Sequence, residues 1–281
     1  MNHHPRSGIG LACWLCAGLL APSCRTGSAP PPTRTTSAPV PEDMVVVPAG
    51  EFLMGCNEAV DNDCAPSERP ARQVFVSAFA IGRTEVTVEA YGRCVAASAC
   101  TRAGQYGDCN HGYPERGQFP ANCVTFFQAQ AYCAWIGGRL PTEAEWEKAA
   151  RGSDGRIWPW GNDFEDTPGH WRANCGEGLA HDLWLRDGFE LDAPVGKYPQ
   201  GASPYGLLDM AGNVAEWVAD WYGEYDPTAT KDPTGPATGK VKVVRGGSYM
   251  SPRKLVRASA RDWHSPDQWL AHVGFRCVVS L

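Results

Sequence analysis

The chain has 281 residues, a formal net charge of −6 and a pI near 5.7. A net acidic chain of this length can bury a sizeable core, and its charge excludes a general nucleic-acid-binding surface. Its 31 glycines, 23 prolines and 11 tryptophans favour ordered turns around aromatic packing over long repeating elements, and no internal repeat is visible.

Residues 1–24 read as a targeting segment. Arg6 supplies a small positive region, Ile9 to Ala21 is an apolar run too short to span a bilayer, and Ala21-Pro22-Ser23 provides small residues before Cys24. Export is therefore expected. Leu20-Ala21-Pro22-Ser23-Cys24 also has the character of a bacterial lipoprotein processing box, although the leucine lies four positions before the cysteine and Pro22 is unusual there. A lipid anchor at Cys24 would make a periplasmic or cell-envelope lipoprotein; plain secretion is the alternative. Residues 25–41, rich in Pro, Thr, Ser and Ala, read as a linker with almost nothing to bury, and the folded domain is expected over residues 42–281.

Met44 to Gly55 reads as strand, turn, strand, and Arg72 to Ile81 alternates in the same way, with Cys56 and Cys64 bracketing an acidic loop between them. Three short helices follow. Thr87 precedes Val88 to Ala97, with Glu89 in the first turn; Thr125 and Gln128 form a capping-box pattern ahead of Ala129 to Ile136; Thr142 and Glu145 repeat it ahead of a helix that Gly152 stops. Past Gly152 the periodicity fades into aromatic-rich loops. Lys240 to Arg245 alternates like a strand and His272 to Val279 reads as a closing strand.

Tyr205 to Tyr222 interleaves Asp209, Asn213, Glu216 and Asp220 with Leu207, Leu208, Met210, Val214, Trp217 and Trp221, so polar oxygens are carried into apolar surroundings. Two readings fit. The oxygens can ligate a hard cation, with Gly212 allowing a tight turn, or Val214 to Tyr222 can be an amphipathic helix with ordinary surface acids.

Twelve cysteines suit an oxidising compartment. Setting aside Cys13, Cys16 and Cys24 leaves nine, an odd number, so one stays out of disulfides unless Cys24 joins in. Among these nine no C-x-x-C pair occurs, which weakens a zinc reading.

Taken in order, Met54-Gly55, Glu85-Val86-Thr87, Arg139 to Glu147, Trp160-Gly161, Gly212 to Trp217, Arg245-Gly246-Gly247-Ser248 and Gly274-Phe275-Arg276-Cys277 resemble the sulfatase-modifying-factor family, whose best-known members are the formylglycine-generating enzymes. The resemblance covers Met44 to Leu281. It implies an α+β domain related to the C-type-lectin-like fold, with little regular secondary structure. It also implies two structural Ca2+ sites, one from Asn174, Cys175, Asp187 and Phe189 and one from Asp209, Gly212, Val214 and Glu216, with Gly212 and Val214 donating carbonyls. A Cys133–Cys277 disulfide is implied too.

The chemistry departs from the family. Formylglycine-generating enzymes hold copper(I) with two cysteines at positions that are Ser251 and Val256 here, and a hydroxyl and an isopropyl group cannot replace two thiolates. Copper is therefore not expected. Pro252 and Ala215 replace a family histidine and tryptophan, whereas Ser248 is retained. Ser248, Ser251, Asp262 and His264 are candidates to meet in one pocket, but composition does not define a Ser-His-Asp triad, and the relation of His264 to His272 stays open at this level. Arg253, Lys254, Arg257 and Arg261 with Trp263 and Trp269 offer a basic, aromatic surface, or else ion-paired arginines and core tryptophans. The expected function is binding of a peptide, a glycan or a partner protein on a calcium-stabilised scaffold. The alternative is an active oxidoreductase of the same family, generating formylglycine on sulfatases or tailoring a periplasmic metabolite through a non-standard site.

Overall fold

The computed structural model describes residues 42–164, 170–176 and 187–281. The expected leader, Cys24 and linker lie outside the described residues. Nine strands and three α-helices are defined among the described residues, in a mixed α+β arrangement.

The first two strands are β1 (Met44–Val47) and β2 (Gly50–Met54), but they do not form the hairpin that their spacing suggests. β2 pairs antiparallel with β3 (Arg72–Val76), while β1 pairs with β4 (Phe79–Gly82), which also carries β9 (Val278–Ser280) on its other edge. The stretch from Arg72 to Ile81 is thus two strands. The junctions are held by the ammonium of buried Lys148, which donates to the carbonyls of Pro48, Gly50 and Val76 at 2.7, 3.0 and 3.2 Å. These carbonyls find a charged donor where the ladders break, which keeps a buried junction satisfied.

The helices begin where side-chain capping dictates. In α1 (Val88–Ala96) the Thr87 hydroxyl accepts from Ala90 N. α2 (Phe126–Trp135) starts directly after Thr125, three residues earlier than expected, with a complete capping box between Thr125 and Gln128. α3 (Glu143–Arg151) has the same box from Thr142 and Glu145, and ends at Gly152 in the left-handed region at φ 71°.

The central sheet has the order β7-β6-β5-β8, built from β5 (Ala215–Trp221), β6 (Lys242–Arg245), β7 (Arg261–His264) and β8 (Val273–Gly274). The helical alternative for Val214 to Tyr222 is overturned: the segment is a strand buried on both faces, so its sequence shows no clean polar side. One face places Glu216, Val218, Val243 and Arg245 toward α3. The other adds Ala215, Trp217 and Val244 to a second core with Tyr91, Phe126, Tyr132 and Phe275. The closing segment is split into β8 and β9.

Four disulfides join Cys56 to Cys64, Cys94 to Cys100, Cys109 to Cys123 and Cys133 to Cys277; Cys175 forms none of them. The last ties α2 to the strand end before β9 across 144 residues, and closing so long a loop is worth about 5 kcal/mol in the chain-entropy account. This density of disulfides belongs to an oxidising, non-cytoplasmic compartment. No described helix is long and apolar enough to cross a membrane.

Candidate functional site

Two neighbouring regions gather the chemistry: a cleft over the central sheet, and a set of loops rich in buried oxygen atoms. The cleft is a cavity of about 310 Å³ whose lining includes Ser248, Ser251, Asp262, His264 and His272, with half-exposed Met250 and Leu255 also lining it. All four pocket residues expected from the sequence therefore meet, and His272 joins them.

Their hydrogen bonds do not assemble a nucleophilic triad. Ser248 N donates to Ser251 Oγ at 3.0 Å, the two hydroxyls lie 3.4 Å apart, and Met250 N donates to Ser248 Oγ at 3.3 Å. Asp262 Oδ1 accepts from the backbone N of Trp263 at 2.8 Å. These bonds shape a turn, whereas a triad needs a base on the hydroxyl and an acid on that base.

The two positions expected to bear copper ligands lie beside Gly247. A Cβ built there would lie 3.1 Å from Ser251 Cβ and 2.8 Å from Val256 Cγ1, so these two side chains flank one glycine whose φ is +65°. At this place the chain presents a hydroxyl and a buried isopropyl group. This donor set does not fit copper(I).

Beneath the sheet, the motif arginines and acids form a closed ionic network. Arg245 donates to Glu143 and Glu147 at 2.8 and 2.7 Å, Arg261 is bidentate on Glu143 at 2.6 and 2.8 Å, and Arg151 reaches Glu147 at 3.0 Å. Arg257 similarly binds Asp61 and Glu68, each at 2.7 Å. Two arginines of the basic stretch, Arg257 and Arg261, are therefore consumed by buried acids. The tryptophans behave otherwise: Trp263 and Trp269 are 49% and 45% exposed, so neither is a core residue.

The oxygen-rich loops begin with Asp209, whose Oδ2 accepts from Gly196 N at 2.6 Å. It faces Glu85, a fully buried carboxyl that sequence reading missed. Asn213 Nδ2 donates to Glu85 Oε1 at 2.9 Å, and Glu85 Oε2 has no partner among the described residues. Burial first, and Asp209 next, hold the Glu85 carboxyl well above the ordinary carboxylate range. Two carboxyl groups in such a place require a shared proton or a cation. Glu216 accepts from Trp146 Nε1 at 2.8 Å and from Arg276 at 2.7 and 2.6 Å. Three donors leave room for about one more contact on a carboxylate.

Asn174 lies directly against this loop. Its carbonyl accepts from Asn213 N at 2.7 Å and its Nδ2 donates to Leu191 O at 2.8 Å. Gly212, at φ +79°, is required for that approach, because a Cβ there would stand 2.0 Å from Asn174 O. Asp187 Oδ1 accepts from Phe189 N at 3.1 Å, making a compact turn at the other expected ligand pair. The Tyr198 hydroxyl is buried without a partner among the described residues; burial first, then the charges of Asp187, Asp209 and Cys175, raise its pKa. A buried hydroxyl of this kind calls for a hydrogen-bond partner.

A profile of the sulfatase-modifying factor enzyme 1-like domain matches residues 30–281. The chain belongs to that family. It is 33% identical to the formylglycine-generating enzyme of Mus musculus over 302 residues, covering 91% of this chain and 80% of the mouse protein. Similarity to the enzyme of Thermomonospora curvata reaches 35% over 290 residues, with 84% and 93% of the two chains covered. Among solved structures, PvdO from Pseudomonas aeruginosa superposes with a TM-score of 0.70 at 27% identity, covering 85% of this chain and 94% of PvdO. Within this sulfatase-modifying-factor chain, Arg245, Arg276, Trp146 and Glu216, which carry much of the sequence resemblance, act in packing and ion pairing.

Proposed function

We propose that this family member is an exported, calcium-stabilised domain that binds a peptide segment in the cleft over the central sheet, without copper-dependent cysteine oxidation. The observation that carries the reading is the pair Ser251 and Val256 flanking Gly247, where copper(I) would need two thiolates. The cleft remains open, with an apolar rim of Met250 and Leu255 and a polar floor of serines. Such a combination suits a short peptide whose side chain enters the pocket while its flanks lie on the rim.

Calcium would be held by the carboxylates of Asp209, Glu85 and Glu216 with the Gly212 and Val214 carbonyls, and in the adjoining loop by Asn174, Asp187 and the carbonyls of Cys175 and Phe189. Bound there, it supplies positive charge that lets these acids stay ionised and joins loops that few backbone ladders connect. The targeting segment and Cys24 support a cell-envelope lipoprotein as the location.

The test is incubation of calcium-loaded protein with a Cys-x-Pro-x-Arg peptide, copper and oxygen, followed by mass spectrometry and a parallel binding measurement. Peptide binding with no aldehyde is the expected result. Aldehyde formation at a catalytic rate would replace this reading with an active oxidoreductase.

A further inference from the structure

We propose that His264 and His272 form a two-imidazole site for a divalent first-row transition metal ion inside the cleft. The inference does not depend on what the cleft binds. His264 closes β7 at one edge of the central sheet, and His272 immediately precedes β8 at the other edge. Eight positions separate them in sequence, yet their ring centroids lie 5.6 Å apart at an interplanar angle of 69°. Two imidazoles on one ion, with metal–nitrogen bonds of about 2.0–2.1 Å, have centroids roughly 5 Å apart. The observed separation is within a small side-chain adjustment of that value.

Ala215 helps make the meeting possible. It lines the same cavity between the two edges, where the family resemblance leads one to expect tryptophan, and its backbone N donates to His272 O at 2.9 Å. A methyl group there leaves the sheet face open between the two rings.

The charge environment suits a cation. Asp262 lies two residues before His264 on the same face of β7 and lines the cavity, supplying negative charge beside both rings. Arg261 is the one cationic side chain among the lining residues, and its charge is matched by its bidentate contact with Glu143. Burial lowers the pKa of His264, and burial together with His264 lowers that of His272, so both rings are neutral and carry a free lone pair near pH 7. Trp217 stands edge-on to His264 at 6.2 Å and limits its rotation.

With two protein ligands, the ion would keep open positions toward the cavity, where a carboxylate, thiolate or imidazole of an incoming ligand could coordinate. A competing cluster elsewhere has no such capacity. Cys56, Asp61 and Cys64 place potential ligand atoms within 4.8 Å of one another, but both sulfurs are joined in a disulfide.

The experiment is calorimetric titration of the full chain with Zn2+ in excess Ca2+, with Co2+ absorption as a second readout. Wild-type protein is expected to bind one Zn2+ that His264→Ala and His272→Ala each weaken at least tenfold, while a His3→Ala/His4→Ala variant retains it. Equal affinity in the wild type and His272→Ala would overturn the proposal, as would a wild type that binds no more Zn2+ than the doubly substituted His264→Ala/His272→Ala chain. Should the variants not fold, carbethoxylation mapping of wild-type protein decides the matter. Zn2+ is expected to protect His264 and His272 from modification, and unchanged labelling of both would overturn the site.

Discussion

Arg276 closes on Glu216 through both Nε and Nη2, at 2.7 and 2.6 Å, and neither side chain has any exposure to solvent. The remaining guanidinium donors meet the carbonyls of Gly82, Arg83 and Leu208, so one side chain, set between β8 and β9, joins β4, β5 and the loop before Asp209. A buried pair of this kind contributes less by its mere presence than it costs when halved. Arg276→Ala is therefore expected to lower stability by about 3–5 kcal/mol. Replacing both partners, as Arg276→Met with Glu216→Leu, should recover part of that loss. Urea unfolding of the two variants measures the difference.

Calcium dependence should show a reversal of sign at Glu85. In EDTA, Glu85→Gln removes one of two facing carboxyls and is expected to raise the melting temperature. In calcium it removes a ligand and is expected to lower it. Asp187→Ala should lower the melting temperature in calcium by several degrees more than in EDTA. Identical shifts in the two buffers would remove the cation assignment from these loops.

Stability should fall as pH rises from about 4 to about 7 through Asp192. Burial raises this carboxyl to about 7 against donation from Asn110, and its Oδ1 has no partner among the described residues. A folded-state pKa above the unfolded value means that the folded form binds the proton more tightly. The contribution is whole below the unfolded pKa and lost as pH climbs through the folded one. Asp192→Asn is expected to match wild type near pH 4 and to exceed its stability at pH 8, by on the order of a few kcal/mol. Asp220, also raised to about 7 by burial and then by Glu143, keeps part of the slope in that variant. Thermal melts at the two pH values provide the check.

Copper affinity should be restorable. Because Ser251 and Val256 flank Gly247, the double substitution Ser251→Cys/Val256→Cys is expected to gain tight copper(I) binding that neither single variant shows. Competition with a chromogenic copper(I) chelator reads the change directly. Failure of the double variant would mean that these side chains diverge too far to share an ion.

The parts legible in sequence were those governed by local rules. Thr125 with Gln128 and Thr142 with Glu145 announce their helices because the cap is a contact between residues three apart. Ser248, Ser251, Asp262 and His264 were recognisable as pocket residues only through the family resemblance. Partners settled by long-range ladders were not legible: β1 and β2 are two residues apart but join different sheets, a choice fixed by Lys148 from α3. β5 was misleading because burial on both faces removes the alternation that marks a strand. Glu85 was overlooked since its role arises from a loop 124 residues away, and His272 because nothing in its spacing from His264 signals that a sheet face brings them together.

β1 and β9 lie on opposite edges of the same short strand, β4, and both run antiparallel to it. The domain's first and last strands are thus separated by two ladder spacings, roughly 10 Å. Because β1 and β9 run parallel to each other, Met44 and Ser280 are also offset by three residues along the strands, roughly 10 Å. A splice of about six glycines and serines should bridge them, and new ends could be opened at an exposed turn such as the one around Gly107. Circular permutants of this protein should therefore fold with the Cys133–Cys277 cross-link intact.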